Sequence, residues 1–465
     1  MWFWSILAVY GLGLLIFEGR ARGTSREHRA LDYALAGRKL TLGPFLATLV
    51  ATSYGWVLGV GELYAEYGLS AWLFLSLPYS LMSLLFAFTL ARRVRRMELT
   101  TLTDLLERHY GRAVANLGSL LFLVLCSPAM YLLMGAQVTA YSAGIRVETA
   151  LMVVTLFSVA YLFRSGFQAV VRTDTLQCIW MYAGFGLLLG GAYAAQGSTA
   201  LQKLDPAMLR WEMTYSPGYL LSWLLLAAYT FVDPNFYHRL YALQSEATAR
   251  QGLVGAVVLW TVFDILAAGA AMYGVALNLA GDQPEWIYLR LAQTQLPPPL
   301  AALVVVGILA AILSTVDSFV FYSGLALGRD LLQRNGVATG WSMPAVVRLG
   351  VVVAAAAGGL WAYAYRHQTA VDLFLEWHPL AVSALLLPVL GGYAPALRLP
   401  PRITLIQMLL SSAAAGAYQV GEKAIQNRFP GFEDVNSVVI GLTVSLVIWG
   451  LGRALESTSG SRRAD

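Results

Sequence analysis

Apolar runs of about twenty residues recur along almost the whole chain, separated by short polar loops. A run of that length crosses a hydrocarbon core of about 30 Å as a helix. Read on that basis, the sequence holds thirteen spans, with cores near residues 2–17, 42–67, 71–91, 114–143, 148–163, 168–195, 217–241, 252–280, 298–328, 342–364, 370–392, 403–420 and 436–454. The composition agrees: 58% of the residues are hydrophobic and 12% charged, against about 25% charged in soluble domains. The expected fold class is an all-α polytopic membrane protein. Met1–Phe17 lacks a charged leading segment and reads as a retained first span. The tail from Glu456 to Asp465 reads as polar and without regular structure.

Orientation follows the basic residues, which concentrate in cytoplasmic loops. With the first residue outside, the inside loops hold 24 of the 31 Lys and Arg. That places the N-terminus outside and the C-terminus in the cytoplasm, and favours an odd number of spans. The clusters Arg92-Arg93-Val94-Arg95-Arg96 and Arg20/Arg22/Arg26/Arg29 read as topology signals, not as a nucleic-acid patch. His238-Arg239 reads as the anchor of a helix end where a cytoplasmic loop begins. Cys126 and Cys178 both lie in apolar runs and make no disulfide framework. No phosphate-binding glycine loop, His-Glu-x-x-His or Cys/His metal spacing is present in the sequence. No catalytic residue and no organic cofactor is therefore expected.

Three places break the apolar pattern. Ile308–Leu332 carries Ser314, Thr315, Asp317 and Ser318 at mid-span. A central Asp costs about 2.5–3.5 kcal/mol on insertion scales and must face protein or water. Positions 311, 314, 315 and 318 share a helix face. The face suits either a monovalent cation site or a polar contact between helices. The run Leu46–Gly61 holds Thr48, Thr52, Ser53, Gly55, Gly59 and Gly61 without a charge, and the seventh span carries Asp233-Pro234. Glycines and a proline weaken a helix, and loosened backbone at bilayer depth is tolerated only inside protein or beside a cavity. Broken spans two and seven, five apart, point to an inverted-repeat transporter with a site at the midplane. The organisation that follows is a first span and basic loop (1–41), a first repeat (42–195), a second repeat (196–392), two flanking helices (393–455) and a tail (456–465).

Six segments, in order and on matching spans, resemble the sodium:solute symporter family: DYALAGRKLTLGPF (32–45), ATSYGWVLGVGELYAEYGL (51–69), TLTDLLERHYG (101–111), GFQAVVRTDTLQ (166–177), HRLYALQSEATAR (238–250) and ILSTVDS (312–318). The resemblance covers roughly residues 30 to 395. It implies a leucine-transporter-type core of five-plus-five inverted repeats, helices 2–6 and 7–11, and a secondary active symporter that moves sodium and a small organic solute inward. It implies a sodium site at the carbonyls of Leu49 and Thr52, the carbonyl of Ala311 and the hydroxyls of Ser314 and Thr315, freed by a break at 49–52. It implies a second cation or proton site at Asp174, Asp317 and Ser318. Asp317 departs from members with Ser there, and two nearby carboxylates need a cation or proton between them. The residues expected around the solute are Ser53, Tyr54, Trp56, Gln137, Tyr229 and Asp233, a set poor in charge. Sodium is the expected coupling ion, the lipid bilayer of the plasma (inner) membrane the expected setting, and no nucleic acid is an expected partner. The sequence leaves the solute and the oligomeric state open. It leaves open, too, a proton-coupled symporter of the same fold and a non-transporting membrane sensor or scaffold. An intramembrane aspartyl enzyme using Asp174 and Asp317 has no motif behind it.

Overall fold

The structure, a computed structural model, describes residues 2–17, 26–212, 215–429 and 434–461. Arg20 and Arg22 of the first basic cluster lie outside these residues. Sixteen helices carry the architecture: α1 (Trp2–Phe17), α2 (Leu42–Ser53), α3 (Val57–Tyr67), α4 (Ser76–Thr89), α5 (Arg112–Leu125), α6 (Ala129–Ala143), α7 (Val147–Ser165), α8 (Phe167–Gln196), α9 (Pro217–Ala227), α10 (Pro234–Ala242), α11 (Ala247–Ala276), α12 (Pro298–Gly324), α13 (Met343–Ala364), α14 (Ala370–Tyr393), α15 (Pro401–Arg428) and α16 (Ser437–Ser461). No strand ladder forms among the described residues; one isolated parallel bridge joins Leu40 to Leu243.

All thirteen expected spans are helical, but by length and apolar composition nine helices among the described residues can cross a membrane. Trp2–Leu14, Leu42–Ser53 and Val147–Ala160 are shorter apolar helices. The count of thirteen is thus not reproduced by that measure: spans two and seven are cut into pieces shorter than a bilayer, and spans one and five are among the shorter apolar helices. Residues 456–461, expected as unstructured tail, continue α16 to Ser461.

The core is organised around α12. Every residue from Val304 to Gly324 is buried. Hydrophobicity all round is the mark of a helix enclosed by others, and α12 packs against α1, α2, α6, α8 and α13. Its approach to α8 is backbone to backbone: a Cβ on Gly184 would stand 3.2 Å from the Gly307 Cα. Small residues permit such contacts between membrane helices.

The break in the second span falls at Tyr54–Trp56, not at 49–52. The α2 backbone stays helical through Ser53, and the chain resumes as α3 at Val57. Gly55 occupies the break because a Cβ there would collide with the Thr315 side chain on α12. The seventh span breaks where expected. A short 3₁₀ stretch, Ala228–Phe231, ends α9, Asp233 caps α10, and Pro234 takes its first position. Proline suits that position because its missing N–H would be unpaired there anyway.

Candidate functional site

The last carbonyls of a helix have no partner within it. Moving the break to 54–56 therefore releases the carbonyl of Thr52 and keeps that of Leu49 inside α2. The Thr315 hydroxyl donates to Thr52 O at 2.7 Å and lies 3.4 Å from Ala311 O. Leu49 O accepts the Ser53 hydroxyl at 2.8 Å, a bond local to α2. Thr52 Oγ1 stands 3.3 Å from Ser314 Oγ and 3.2 Å from Ser318 Oγ. Ser314 donates in turn to Asp174 Oδ1 on α8 at 2.6 Å. Of the residues read from sequence, Thr52, Ala311, Ser314, Thr315, Ser318 and Asp174 thus meet where α2, α8 and α12 converge. Asp317 is buried there too, with Oδ2 accepting the Gln177 amide at 3.4 Å; that amide also donates to the Tyr10 hydroxyl at 3.1 Å.

Sequence reasoning missed the centre of this cluster. Arg239 does not anchor a helix end at a loop: its side chain is 0% exposed, the largest fully buried one among the described residues. Because α10 is a separate short helix starting at Pro234, its second turn carries Arg239 inward. Nη2 lies within 3.3 Å of five oxygens: Thr48 O (3.1 Å), Thr48 Oγ1 (2.9 Å), Thr52 Oγ1 (2.6 Å), Ser318 Oγ (3.0 Å) and Asp174 Oδ2 (3.3 Å). Nη1 donates to Asn235 Oδ1 at 3.1 Å and the Tyr322 hydroxyl at 2.6 Å. The Thr48 hydroxyl also donates to Asp174 Oδ2. A guanidinium nitrogen has two protons, so five oxygens exceed what it can satisfy by hydrogen bonds. The geometry is that of an oxygen cage around a positive charge. Thr48 could have been found from sequence, since it lies one turn from Thr52 on the same face of α2. Arg239 could not, because its burial depends on how α10 docks.

Beside this cage lies a cavity of ≈ 130 Å³. Ser53, Tyr54, Trp56, Tyr229 and Asp233 line it, as does Thr52, which is shared with the cage. Gln137 is half-buried on α6 and does not line it. Asp264 on α11 and His378 on α14 line it as well, and sequence reasoning gave neither that place. Among the described residues, no group of three or more His, Cys, Asp or Glu is arranged to hold a metal ion.

Comparison with known proteins agrees with this architecture. The chain is 27% identical over 344 residues to a sodium/pantothenate symporter of Escherichia coli (strain K12), covering 70% of each chain. It is 25% identical over 353 residues to an osmoregulated proline transporter of Bacillus subtilis (strain 168), again 70% of each. Among solved structures, a Na⁺-coupled sialic acid symporter in a substrate-bound outward-open state superposes with a TM-score of 0.78 at 15% identity, over 98% of both chains. A nucleobase-cation-symport-1 family transporter in a closed conformation gives 0.57 at 14% identity, over 92% of this chain and 95% of that one. These two likenesses carry the fold, the leucine-transporter type. The profile of the sodium:solute symporter family matches residues 33–368, which takes in both broken spans and the oxygen-lined junction of α2, α8 and α12. The chain belongs to the sodium:solute symporter family.

Proposed function

We propose that the chain is a secondary active symporter that couples inward sodium movement to uptake of a small organic solute by alternating access. The observation that carries the reading is the oxygen cage beside the break of α2: the hydroxyls of Thr48 and Thr52, the Thr48 carbonyl, the Ser318 hydroxyl and the Asp174 carboxylate around one point of positive charge. Hard oxygen donors with a single carboxylate suit a monovalent cation that binds and leaves. In the proposed sodium site, Thr52 O, Ala311 O, Ser314 Oγ and Thr315 Oγ1 hold the ion; Leu49 O is the weakest member, since it stays within α2. Asp174, Ser318 and Asp317 form the proposed second cation or proton site. The cavity next to Thr52 holds the solute.

Sodium bound between α2 and α12 ties the two halves, 42–195 and 196–392, in the state that also favours solute. Each ligand then raises the affinity for the other reciprocally. The protein works in the plasma (inner) membrane with its N-terminus outside and C-terminus cytoplasmic, a placement supported by the distribution of Lys and Arg. The chain carries out no catalysis on this reading. The test is solute accumulation in proteoliposomes under an inward sodium gradient against a potassium control. Accumulation that ignores sodium overturns the proposal.

One observation favours a second reading. Arg239 supplies the cage with a positive charge of its own, so Asp174 has a counter-ion without sodium. A proton-coupled symporter of the same fold would accumulate solute under a pH gradient in sodium-free medium, and that measurement separates the two.

A further inference from the structure

The solute cavity contains more charge than its sequence suggests, and the charge has one sign. Asp233 and Asp264 both line it, and both are buried. No Lys or Arg is among the lining residues. The two carboxylates differ in how they are satisfied. Asp233 caps α10, its Oδ1 accepting the backbone N–H of Asn235 at 2.9 Å and the Asn235 amide at 2.8 Å. Through Asn235 it is linked to Arg239.

Asp264 has no such link. Its Oδ1 accepts the Tyr54 hydroxyl at 2.8 Å and its Oδ2 the Trp72 indole N–H at 3.2 Å. The Tyr54 hydroxyl also lies 2.8 Å from the Trp260 carbonyl. One proton is therefore divided between two acceptors. The groups that bear on Asp264 are neutral, Tyr54, Ser76 and Trp72. A carboxylate in such a place is costly to keep ionised unless a cation or further donors reach it.

The rest of the wall suits a cation. Trp56 stacks on Phe374 with centroids 5.1 Å apart, and Tyr54 lies 4.2 Å from Phe263. Trp56, Tyr54 and Phe374 face the cavity with Trp260 and Phe319. Aromatic faces attract cations, and most strongly where both are desolvated. His378 donates from Nδ1 to the Phe374 carbonyl at 3.1 Å, which leaves Nε2 as an acceptor. The positive charge of Arg239 is used on the cation cage, and that side chain does not line the cavity.

We propose that the solute carries an ammonium-type positive charge, as a cation or a zwitterion, which Asp264 receives against the aromatic wall. A solute whose only charge is a carboxylate does not fit: it would meet two buried carboxylates and no basic side chain. This rests on the proposal that the cavity is the solute site of a sodium-coupled symporter.

The test is a thermal-shift screen of the purified full-length protein in sodium and in potassium chloride. The ammonium probes are choline, glycine betaine, L-proline, ethanolamine and agmatine; the carboxylate-only probes are lactate and pantothenate. At least one ammonium probe should stabilise the protein in sodium alone, and neither carboxylate-only probe should. Asp264→Asn should weaken that binding about 10- to 100-fold, the range for losing a hydrogen bond to a charged group, and Asp264→Glu should restore part of it. If Asp264→Asn does not fold, Trp56→Leu should weaken the same probe several-fold. Sodium-dependent binding of lactate or pantothenate overturns this inference and leaves the symport reading standing. So does unchanged ammonium affinity in Asp264→Asn or, where that variant does not fold, in Trp56→Leu. No sodium-dependent binding of any ammonium probe overturns this inference as well, while the symport reading is decided by the proteoliposome measurement.

Discussion

Replacing Arg239 by methionine keeps an unbranched apolar stem and removes the guanidinium with its charge, which makes it the sharpest probe of the cage. In the wild-type protein Arg239 Nη2 stands 3.3 Å from Asp174 Oδ2, with both side chains 0% exposed. Two unit charges at that separation attract by about 5 kcal/mol at an effective dielectric constant near 20. Removing one partner of a buried pair costs roughly 3–5 kcal/mol, because the other charge is left uncompensated. Sodium-free Arg239→Met should therefore melt well below wild type. Sodium, however, no longer competes with a tethered cation for Asp174, Thr52 and Ser318. If it recovers about 2 kcal/mol of the lost stability, the apparent sodium affinity rises about 30-fold. Melting of purified protein, titrated with sodium chloride against potassium chloride at constant ionic strength, reads both effects. The expected result is a destabilised variant that sodium rescues at lower concentration than it stabilises wild type. A variant that loses all response to sodium would show that Arg239 builds the site rather than competing for it. A variant that melts like wild type without sodium would refute the ion pair's importance altogether.

Three further outcomes follow. Ser314→Ala and Thr315→Ala each remove a hydroxyl from the α2–α12 junction, so sodium-stimulated uptake should need more sodium or disappear; wild-type sodium dependence in the double variant would exclude the proposed ligands. Gly55→Ala places a methyl group against Thr315, and overpacking of this kind costs about 1–3 kcal/mol; an unchanged melting temperature and sodium response would show that the break is not held by that contact. On the short helix Leu102–Tyr110, Asp104 accepts Arg329 at 2.8 and 3.0 Å and Arg334 at 2.8 Å. Burial pushes the Asp104 carboxyl up, but Arg329 and Arg334 outweigh it and hold the carboxyl below its ordinary value. A depressed carboxyl contributes stability above its unfolded pKa of about 3.9 and loses it as pH falls through the lower native value. The stability lost in Asp104→Asn, read as the melting difference from wild type, should be constant from neutral pH to about 5 and shrink only below about 4; a difference that vanishes near pH 6 would refute this.

Local chemistry and periodicity were enough for much of this molecule. Apolar run length sets the helices, because backbone groups in hydrocarbon must pair within one segment. Proline and glycine at fixed positions mark the two broken spans, and the i, i+3/i+4 rule puts Ser314, Thr315 and Ser318 on one face. The side chains that meet there are also decided by packing. Where α2 ends, at Ser53 rather than near Leu49, depends on Gly55 fitting against Thr315, and that decides which carbonyls are released. Arg239 sits next to a loop in sequence and at the centre of the cage in space, since α10 packs on α2 and its second turn sends this side chain to Ser318 and Tyr322 of α12. Asp264 looks like one more residue on a long apolar helix until Tyr54, Trp72 and the cavity wall surround it. Charge in a low-dielectric interior takes its meaning from what lies within about 4 Å, and those neighbours come from helices far apart in the chain.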